Sequence, residues 1–271
     1  MMKGNTDVIS STTNKQVRYV NALVKKAKTR REEDLFVAEG LRMCSEIPKE
    51  RIRALYVSES FKKQPEYSPL TAGVRQVEVV TDEVFKALSD TQTPQGILAL
   101  VKQYHYTLDE VVRTGGESQR PALLMVLERL QDPGNLGTIL RAGEGAGVTG
   151  VLMDSGTADI YNPKVIRSTM GSVLRMPFAY VEDLEETLRG LKKKGIHLYA
   201  AHLKGERSYD KEDYTADTGF LIGNEAGGLS DAIAGLADTY IRIPMEGQVE
   251  SLNAAVAASV LMFEAARQRR G

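Results

Sequence analysis

Apolar positions in the first hundred residues follow the periods of regular secondary structure. Residues 15–27 place apolar side chains on one helical face, and residues 35–47 pass from a short apolar run into a second helix. A short helix is predicted from Asp82, as its N-cap, to residue 91. Short runs rich in Val, Ile and Leu predict strands at 52–58, 77–81 and 96–101. Together these elements predict a small α/β sandwich.

The alternation of strands and helices becomes more regular after residue 121. Strands are predicted at 122–130, 150–154, 177–181, 196–203, 218–224 and 239–244. Helices are predicted at 136–147, 163–174, 184–194, 230–237 and 251–269. Short, nearly all-apolar strands separated by helices favour a parallel sheet covered on both faces. Because ligands of such sheets bind at the carboxyl ends of the strands, the loops after residues 130, 224 and 244 are the candidate site.

A change in composition separates the two halves of the chain. Gly, Ser, Glu, Gln and Pro cluster between residues 103 and 121, as they do in exposed linkers. We therefore predict one domain at 1–106, a linker at 107–121 and a second domain at 122–271.

Composition narrows the class of protein. With 26% charged and 42% hydrophobic residues among 271, the chain has the balance of a soluble globular protein. No run of 18 apolar residues predicts a membrane span, and no apolar segment near the N-terminus predicts a signal peptide. The single cysteine, Cys44, allows no intramolecular disulfide, which suits a reducing cytoplasm. With three histidines and one cysteine, no metal site is expected.

Charge is distributed unevenly, although the formal net charge is only −1. Residues 1–106 contain 17 basic and 13 acidic residues, whereas residues 107–271 contain 18 basic and 23 acidic ones. Eight of the basic residues lie within the first 31 positions, which contain one acid, Asp7. Such a basic end is typical of a protein that binds nucleic acid, although a solvated helix face has the same composition.

Several common site motifs are absent from the sequence. The dinucleotide fingerprint needs G-x-G-x-x-G directly after a strand, whereas Gly143, Gly145 and Gly147 fall within and at the end of a predicted helix. Those glycines favour close packing and a C-terminal cap. The chain contains no G-x-x-x-x-G-K-[ST] and no G-x-S-x-G. Nucleotide-binding oxidoreductases, P-loop proteins and hydrolases with a catalytic triad are therefore disfavoured.

The loop after residue 130 contributes a cation to the candidate site. Pro133 and Gly134 predict a turn, and Asn135 is suited to cap the helix that follows. That helix is small and apolar except for Arg141, nearly two turns in. From the sequence alone, Arg141 is either a functional group or a surface arginine.

The loops after residues 224 and 244 contribute glycines and further polar groups. Glycines between Gly223 and Gly228 let a ligand approach the backbone, although the same segment fits a turn whose Glu225 faces water. In the last loop, Ser251 either caps the closing helix or belongs to the site, and Asn253 lies in the first turn of that helix.

Three ordered segments resemble the motifs of a known family. NLGTILRAGEGAGV, LIGNEAGGLS and IPMEGQVESLNAAVAASVLMFE are similar to the three motifs of the SpoU (TrmH-type) RNA 2′-O-ribose methyltransferases of the SPOUT superfamily. LFVAEGLRMCSEI and VFKALSDTQTPQGILALV resemble the substrate-binding domain that precedes many of these enzymes. The resemblance implies a deep trefoil knot that holds S-adenosylmethionine (SAM) in a bent form, and an obligate homodimer. It also implies an N-terminal α/β domain related to kink-turn-binding ribosomal proteins.

The resemblance assigns roles to residues by their position in these motifs. It implies a catalytic arginine at Arg141, which would bind phosphate and hold positive charge beside the ribose oxygen. Asn135 and Glu225 would orient Arg141 or the ribose, and Ser251 and Asn253 would shape the cofactor loop. The implied cofactor contacts, largely through backbone groups, are Gly223, Asn224, Ile243, Met245 and Leu252. No metal is implied, since the SAM sulfonium supplies the electrophile.

We therefore expect a cytoplasmic, SAM-dependent methyltransferase that modifies a ribose 2′-hydroxyl of a structured RNA. Ribosomal RNA is the favoured substrate, because an appended kink-turn-type domain suits a folded RNA. One alternative is a transfer-RNA 2′-O-methyltransferase. The other is a non-catalytic RNA-binding protein in which the N-terminal domain does the binding.

Overall fold

The computed structural model describes residues 8–113 and 120–271, and its contacts divide the chain into two units. The first unit extends to Tyr104 and includes residues 161–174, and the second contains the remainder. Both units combine helices with a sheet, which confirms the predicted α/β class. The domain boundaries given above stay a prediction, and residues 114–119 of the predicted linker lie outside the described residues.

The elements of the described chain are numbered in chain order. The helices are α1 (Lys15–Lys25), α2 (Ala27–Glu33), α3 (Leu41–Glu46), α4 (Tyr67–Thr71), α5 (Asp82–Leu88), α6 (Leu108–Val111), α7 (Pro133–Ala146), α8 (Pro163–Thr169), α9 (Leu184–Lys193), α10 (Asp231–Ala234) and α11 (Ala254–Arg269). The strands are β1 (Leu35–Glu39), β2 (Ile52–Ser58), β3 (Val77–Val80), β4 (Ile97–Lys102), β5 (Leu123–Leu127), β6 (Gly150–Asp154), β7 (Phe178–Val181), β8 (His197–Ala201), β9 (Arg207–Ser208), β10 (Thr218–Ile222) and β11 (Thr239–Arg242).

The first unit is built on a mixed sheet with the strand order β1-β4-β2-β3. β4 runs antiparallel to both β1 and β2, while β2 and β3 are parallel. Helices α1 and α5 pack on this sheet through a core that contains Val20, Leu23 and Phe85. Helix α3 packs against β1 and β4. This arrangement is the small α/β sandwich that the hydrophobic pattern predicts.

Residues 161–174 pack within the first unit, although in sequence they lie inside the predicted C-terminal domain. The ring of Tyr161 stacks on Phe36 of β1 with 4.8 Å between the ring centroids. On α8, the Arg167 guanidinium donates to the carboxylate of Asp90 at 2.6 Å. The first unit is therefore assembled from two separate stretches of the chain.

The second unit contains a parallel sheet with the strand order β7-β6-β5-β10-β8-β11-β9. Helices α6, α9 and α10 share a core with one face of this sheet. On the other face, α11 packs against β10 and α7. The central strands β5 and β10 are buried along their whole length. Because both of their faces are covered, these strands carry a nearly continuous run of apolar residues, as predicted.

Helix α7, which carries Arg141, begins three residues earlier than predicted. Its N-cap is Asp132, whose carboxylate accepts the backbone N–H of Asn135 at 2.8 Å. Pro133 occupies the first helical position, where its missing N–H and fixed φ cost the helix nothing. The prediction that Asn135 caps this helix is therefore wrong, and its side chain is free for another role.

Two other helix starts differ from the predictions by one or a few residues. Helix α11 is capped by Asn253, whose Oδ1 accepts two backbone N–H groups, and Ser251 lies outside the helix. Helix α5 is capped by Thr81 and not by Asp82. Several neighbouring polar residues can cap a helix in each case, and the sequence alone does not fix which one does so.

Residues 8–113 and 120–271 contain neither a membrane-spanning helix nor a cluster of metal-binding side chains. No helix in these ranges is long and apolar enough to cross a membrane. No group of three His, Cys, Asp or Glu side chains in them is placed so that it could hold a metal ion.

The guanidinium group of Arg269 ties the end of α11 to two other segments of the second unit. Arg269 donates to the backbone carbonyls of Pro121, Ala122, Tyr214 and Ala216, at distances between 2.6 and 2.9 Å. These carbonyls lie before β5 and before β10, so a single side chain joins the closing helix to the two central strands. A planar group with five donors suits this task better than the point charge of a lysine.

We expect Arg269→Ala to destabilise the protein by about 2–4 kcal/mol, because half-buried carbonyls would lose charge-assisted hydrogen bonds. Arg269→Lys should recover only part of the loss. The free energy of unfolding from urea titration checks both variants. The control is Arg267→Ala on the same helix, an arginine that is 65% exposed and pairs with Glu264, which should change stability little. An equal loss of stability in the two alanine variants would contradict a stabilising role for the hydrogen bonds of Arg269.

Candidate active site

Three loops meet at the carboxyl edge of the parallel sheet. They follow β5, β10 and β11, which are the strands whose ends the sequence singled out. β5 and β10 are direct neighbours, and their carboxyl ends lie at the same edge because the pair is parallel. The loops after β5 and β10 therefore meet although the residues that join them, Asp132 and Glu225, are 93 positions apart in the chain.

Glu225 joins the loop after β10 to the loop after β5. Its carboxylate accepts the backbone N–H of Gln131 at 3.2 Å and that of Asp132 at 3.0 Å. It also accepts the side-chain amide of Asn135 at 3.0 Å. Glu225 thus accepts hydrogen bonds from the backbone N–H groups of the turn that leads into α7.

The same contacts determine the protonation of Glu225. Partial burial raises the pKa of this carboxyl. The hydrogen bonds from the Asn135 side chain and from the backbone N–H groups of Asp132 and Gln131 outweigh that effect, so the pKa lies below its ordinary value. Glu225 is therefore a carboxylate at neutral pH, and its lone pairs are directed at N–H donors of its own chain.

Asn135 extends this connection to the third loop. While its Nδ2 donates to Glu225, its Oδ1 accepts the Nδ2 of Asn253 at 2.9 Å. Asn253 is also the N-cap of α11, so its two side-chain ends serve different partners. The structure thus brings together three of the predicted site residues, Asn135, Glu225 and Asn253, in one hydrogen-bonded chain.

The predicted cofactor residues Gly223 and Asn224 form the tight turn after β10. The Asn224 amide donates to the carbonyl of Arg129 at 2.7 Å, and its Oδ1 accepts the N–H of Ala226 at 2.9 Å. A Cβ on Gly223 would lie 2.0 Å from the carbonyl carbon of Gly228. Only glycine fits at position 223, as expected for a loop that folds back on its own backbone.

Arg141 and Ser251 are not part of this hydrogen-bonded chain. Arg141 lies on the exposed side of α7, about 9 Å along the axis and about 120° around it from Asn135. Within residues 8–113 and 120–271 its side chain makes no hydrogen bond or ion pair. Ser251 is exposed and likewise without a hydrogen bond to a described residue. Glu225 and Asn135 therefore bond to each other, and neither contacts Arg141.

The loop between β11 and α11 has the chemistry expected for holding SAM. Ile243, Met245 and Leu252 are half-buried apolar side chains. Between residues 245 and 252 no backbone or side-chain group is hydrogen-bonded to another described residue, so amide and carbonyl groups are available to a ligand. An adenine base and a methionine chain need apolar surface together with backbone donors and acceptors, and these residues supply both.

Two residues of the site, Glu128 and Arg129, are not among those predicted from the sequence, although both lie in the loop of the first motif. Glu128 follows β5, is only 6% exposed and accepts the backbone N–H of Ser230 at 2.8 Å. Arg129, next to it, accepts the Asn224 amide on its carbonyl. The sequence feature that could have predicted them is a pair of charged residues directly after a strand that is buried on both faces.

Comparison with protein families agrees with this geometry. Residues 122–263 match the SpoU rRNA methylase family, and residues 14–99 match the MRM3-like substrate-binding domain. The motifs that resemble this family in the sequence lie in the same two halves of the chain.

Individual relatives extend over nearly the whole chain. The 23S rRNA (guanosine(2553)-2′-O)-methyltransferase RlmP of Bacillus subtilis is 30% identical over 94% of this chain and 97% of its own. The SpoU methyltransferase AviRb of Streptomyces viridochromogenes, solved with AdoMet, is 28% identical with a TM-score of 0.82 and covers 95% of this chain and 99% of its own. An AdoMet-bound rRNA methyltransferase of Sinorhizobium meliloti is 30% identical with a TM-score of 0.84, and the match covers 96% of this chain and 97% of its own. These findings confirm the resemblance: the chain belongs to the SpoU rRNA methylase family.

Proposed function

We propose that this protein transfers the methyl group of SAM to a ribose 2′-hydroxyl of ribosomal RNA. The observation that carries the proposal is the chain of hydrogen bonds through Glu225, Asn135 and Asn253, which joins all three motif loops at one edge of the sheet. RlmP is named as a 23S rRNA 2′-O-methyltransferase, and the match to a substrate-binding domain accounts for the first unit. SAM is the cofactor, as expected, since solved members of the family hold it.

When bound, SAM would supply an electrophilic methyl group; its transfer to the ribose oxygen would break the carbon–sulfur bond, leave S-adenosylhomocysteine and release the hydroxyl proton to water. The protein must hold oxygen and carbon in line and stabilise the charge that gathers on the oxygen. Arg141, an exposed cation without a partner in the described chain, is suited to bind the flanking phosphate and to hold positive charge beside that oxygen. Glu225 acts as a positioning residue, since its acceptors already serve the loop after β5.

We also propose that the second unit contains the deep trefoil knot implied by the resemblance. In support, β10 lies between the earlier strands β5 and β8, and β11 lies beyond β8. After β11 the chain returns to the first motif loop, where Asn253 bonds to Asn135, and α11 then packs on α7. We place the reaction in the cytoplasm, because a lone buried cysteine suits a reducing compartment.

The homodimer remains a proposal, and an apolar surface on α11 and α7 supports it. Val256 and Phe263, two turns apart on α11, are 48% and 47% exposed. Gly145 of α7 lies beside Phe263, since a Cβ there would be 3.8 Å from the Phe263 ring. Large exposed apolar side chains on one helix face are typical of a surface that a second subunit covers.

Phe263→Glu should convert a dimer into a monomer, because a carboxylate would be buried without a partner in the interface. Light scattering at micromolar protein measures the mass. Leu108→Glu, at a site that is 40% exposed on α6, is the control and should leave the mass unchanged. A monomeric wild-type protein with full activity would contradict the homodimer.

A basic stripe on α1 supports the proposal that the first unit binds RNA. Lys15, Arg18 and Lys25 are exposed and lie on one face of the helix, opposite the buried Val17, Val20 and Leu23. In the described part of the chain, none of the three forms an ion pair. Unpaired cations spaced along a helix match the charge of a phosphate backbone.

Replacing Lys15, Arg18 and Lys25 together by alanine should weaken RNA binding and lower its salt slope by about two to three, because fewer phosphates are neutralised. SAM affinity should not change. A filter-binding titration over a salt series, with a large-subunit ribosomal RNA transcript as probe, measures both RNA quantities. The control is a triple alanine variant of exposed basic residues in the second unit: Arg189, Lys193 and Lys211. Equal losses in the two variants would show that α1 has no special part in binding.

The proposed reaction is tested with labelled SAM and unmodified ribosomal RNA. The wild-type protein should methylate the RNA at a ribose, and Arg141→Ala should lower the single-turnover rate roughly a hundred- to a thousandfold, the effect of losing about 2.7–4 kcal/mol of transition-state stabilisation. Arg141→Lys should restore the rate in part, since it keeps the charge but not the planar fork. Calorimetry should show nearly unchanged SAM affinity in both variants. Near wild-type methylation by Arg141→Ala would show that Arg141 is a surface arginine.

A further inference from the structure

Arg129 has a backbone conformation that is unusual for its residue type. It lies two residues beyond the end of β5, and its φ of +49° is in the left-handed region. Glycine, asparagine and aspartate adopt this region most readily, and an arginine there loses conformational free energy that a glycine would not lose. Such strain persists when surrounding contacts enforce it, and it concentrates at functional sites.

The contacts that enforce this conformation are hydrogen bonds on both sides of the residue. The backbone N–H of Arg129 donates to the Asp154 carboxylate at 2.8 Å, and its carbonyl accepts the Asn224 amide at 2.7 Å. Asp154 ends β6 and Asn224 follows β10, so Arg129 is fixed between the strands on either side of β5. The position of its side chain is therefore determined by the same loops that form the site.

The stem of the Arg129 side chain lies over the loop after β6. A Cβ on Gly156, in the loop after β6, would lie 2.7 Å from Cγ of Arg129, so the arginine stem passes over this glycine. The predicted SAM contacts follow β10 and β11, on the other side of β5. Arg129 thus borders the half of the carboxyl edge that the predicted cofactor residues leave open.

The guanidinium is held at one point and exposed at the others. Its Nη2 lies 3.4 Å from the Glu128 carboxylate, whose side chain is 8% exposed, while the Arg129 side chain is 53% exposed. Glu128 also accepts the Ser230 N–H, so it fixes the loop after β10 as well as the arginine. An arginine whose guanidinium forms a single ion-pair contact with a buried acid keeps N–H donors for an anion in solution.

We propose that Arg129 binds a backbone phosphate of the substrate RNA at the β6 side of the active site. The inference rests on the proposed function, and it adds a second RNA-binding arginine to Arg141 in the same unit. A planar guanidinium, pre-oriented by a buried acid, recognises a phosphate through two parallel hydrogen bonds. The SAM carboxylate is the other anion of this reaction, and the position of the arginine stem over Gly156, on the β6 side of β5, favours the RNA.

Arg129→Gly is the informative variant, because glycine adopts the observed φ without strain and the fold should be kept. Its affinity for a large-subunit ribosomal RNA transcript should fall roughly tenfold, and the salt slope of binding should fall by about one. SAM affinity by calorimetry should be unchanged. A fall in SAM affinity with unchanged RNA binding would assign Arg129 to the cofactor carboxylate and would overturn the proposal.

Two further variants separate RNA binding from a structural role. In Glu128→Gln combined with Arg129→Gly, the buried carboxylate is removed while an oxygen remains to accept the Ser230 N–H. RNA binding by this double variant should stay as weak as in Arg129→Gly; recovery to the wild-type value would mean that Arg129 only neutralises Glu128. Arg207→Ala removes a similar exposed arginine, paired with the mostly buried Glu212, from the edge strand β9, and should leave RNA affinity unchanged.

The wild-type protein, assayed with labelled SAM and the same transcript, distinguishes failure of the inference from failure of the proposed function. If the wild type transfers no methyl group to RNA, the proposed function is wrong. If the wild type methylates RNA and Arg129→Gly has the same RNA affinity as the wild type, the proposed function stands and the proposed role of Arg129 is wrong.

Discussion

The backbone of the turn between β5 and α7 has N–H groups that need acceptors, and Glu225 provides them. A helix start exposes unpaired donors, and here the Asp132 side chain serves the N–H of Asn135 while Glu225 serves the N–H groups of Gln131 and Asp132. Because Glu225 comes from the loop after β10, the start of α7 is complete only when the two loops are in place. The position of Arg141 on α7 therefore depends on a residue from another motif.

This dependence limits the chemistry of the site. The hydrogen bonds that lower the pKa of Glu225 keep it ionised, but they also occupy the oxygens with which it would accept a proton from substrate. Asn135 and Asn253 carry amides, which neither gain nor lose protons at neutral pH. The three residues thus form a hydrogen-bonded support, and in the proposed mechanism the electrostatic part of methyl transfer is left to Arg141.

How far the sequence predicted this structure depends on whether the relevant interaction is local. Strands β5 and β10 were predictable because burial on both faces leaves nearly all of their residues apolar. The choice of Asp132 over Asn135 as N-cap was not, since both types cap helices and the outcome depends on Glu225 drawing Asn135 away. The packing of Tyr161 on Phe36 was also hidden, because it joins positions more than a hundred residues apart.

Arg129 illustrates why a charged residue near a site is difficult to interpret from sequence alone. Next to Glu128, it has the composition of an ordinary surface ion pair. Only the structure reveals the left-handed backbone, the buried carboxylate and the bonds to Asp154 and Asn224 that hold it in place. Local preference and tertiary contacts disagree at this residue, whereas they agree along the neighbouring strand β5. Such disagreement is concentrated where a fold gives up conformational free energy for function, and here it coincides with the edge where the three motif loops meet.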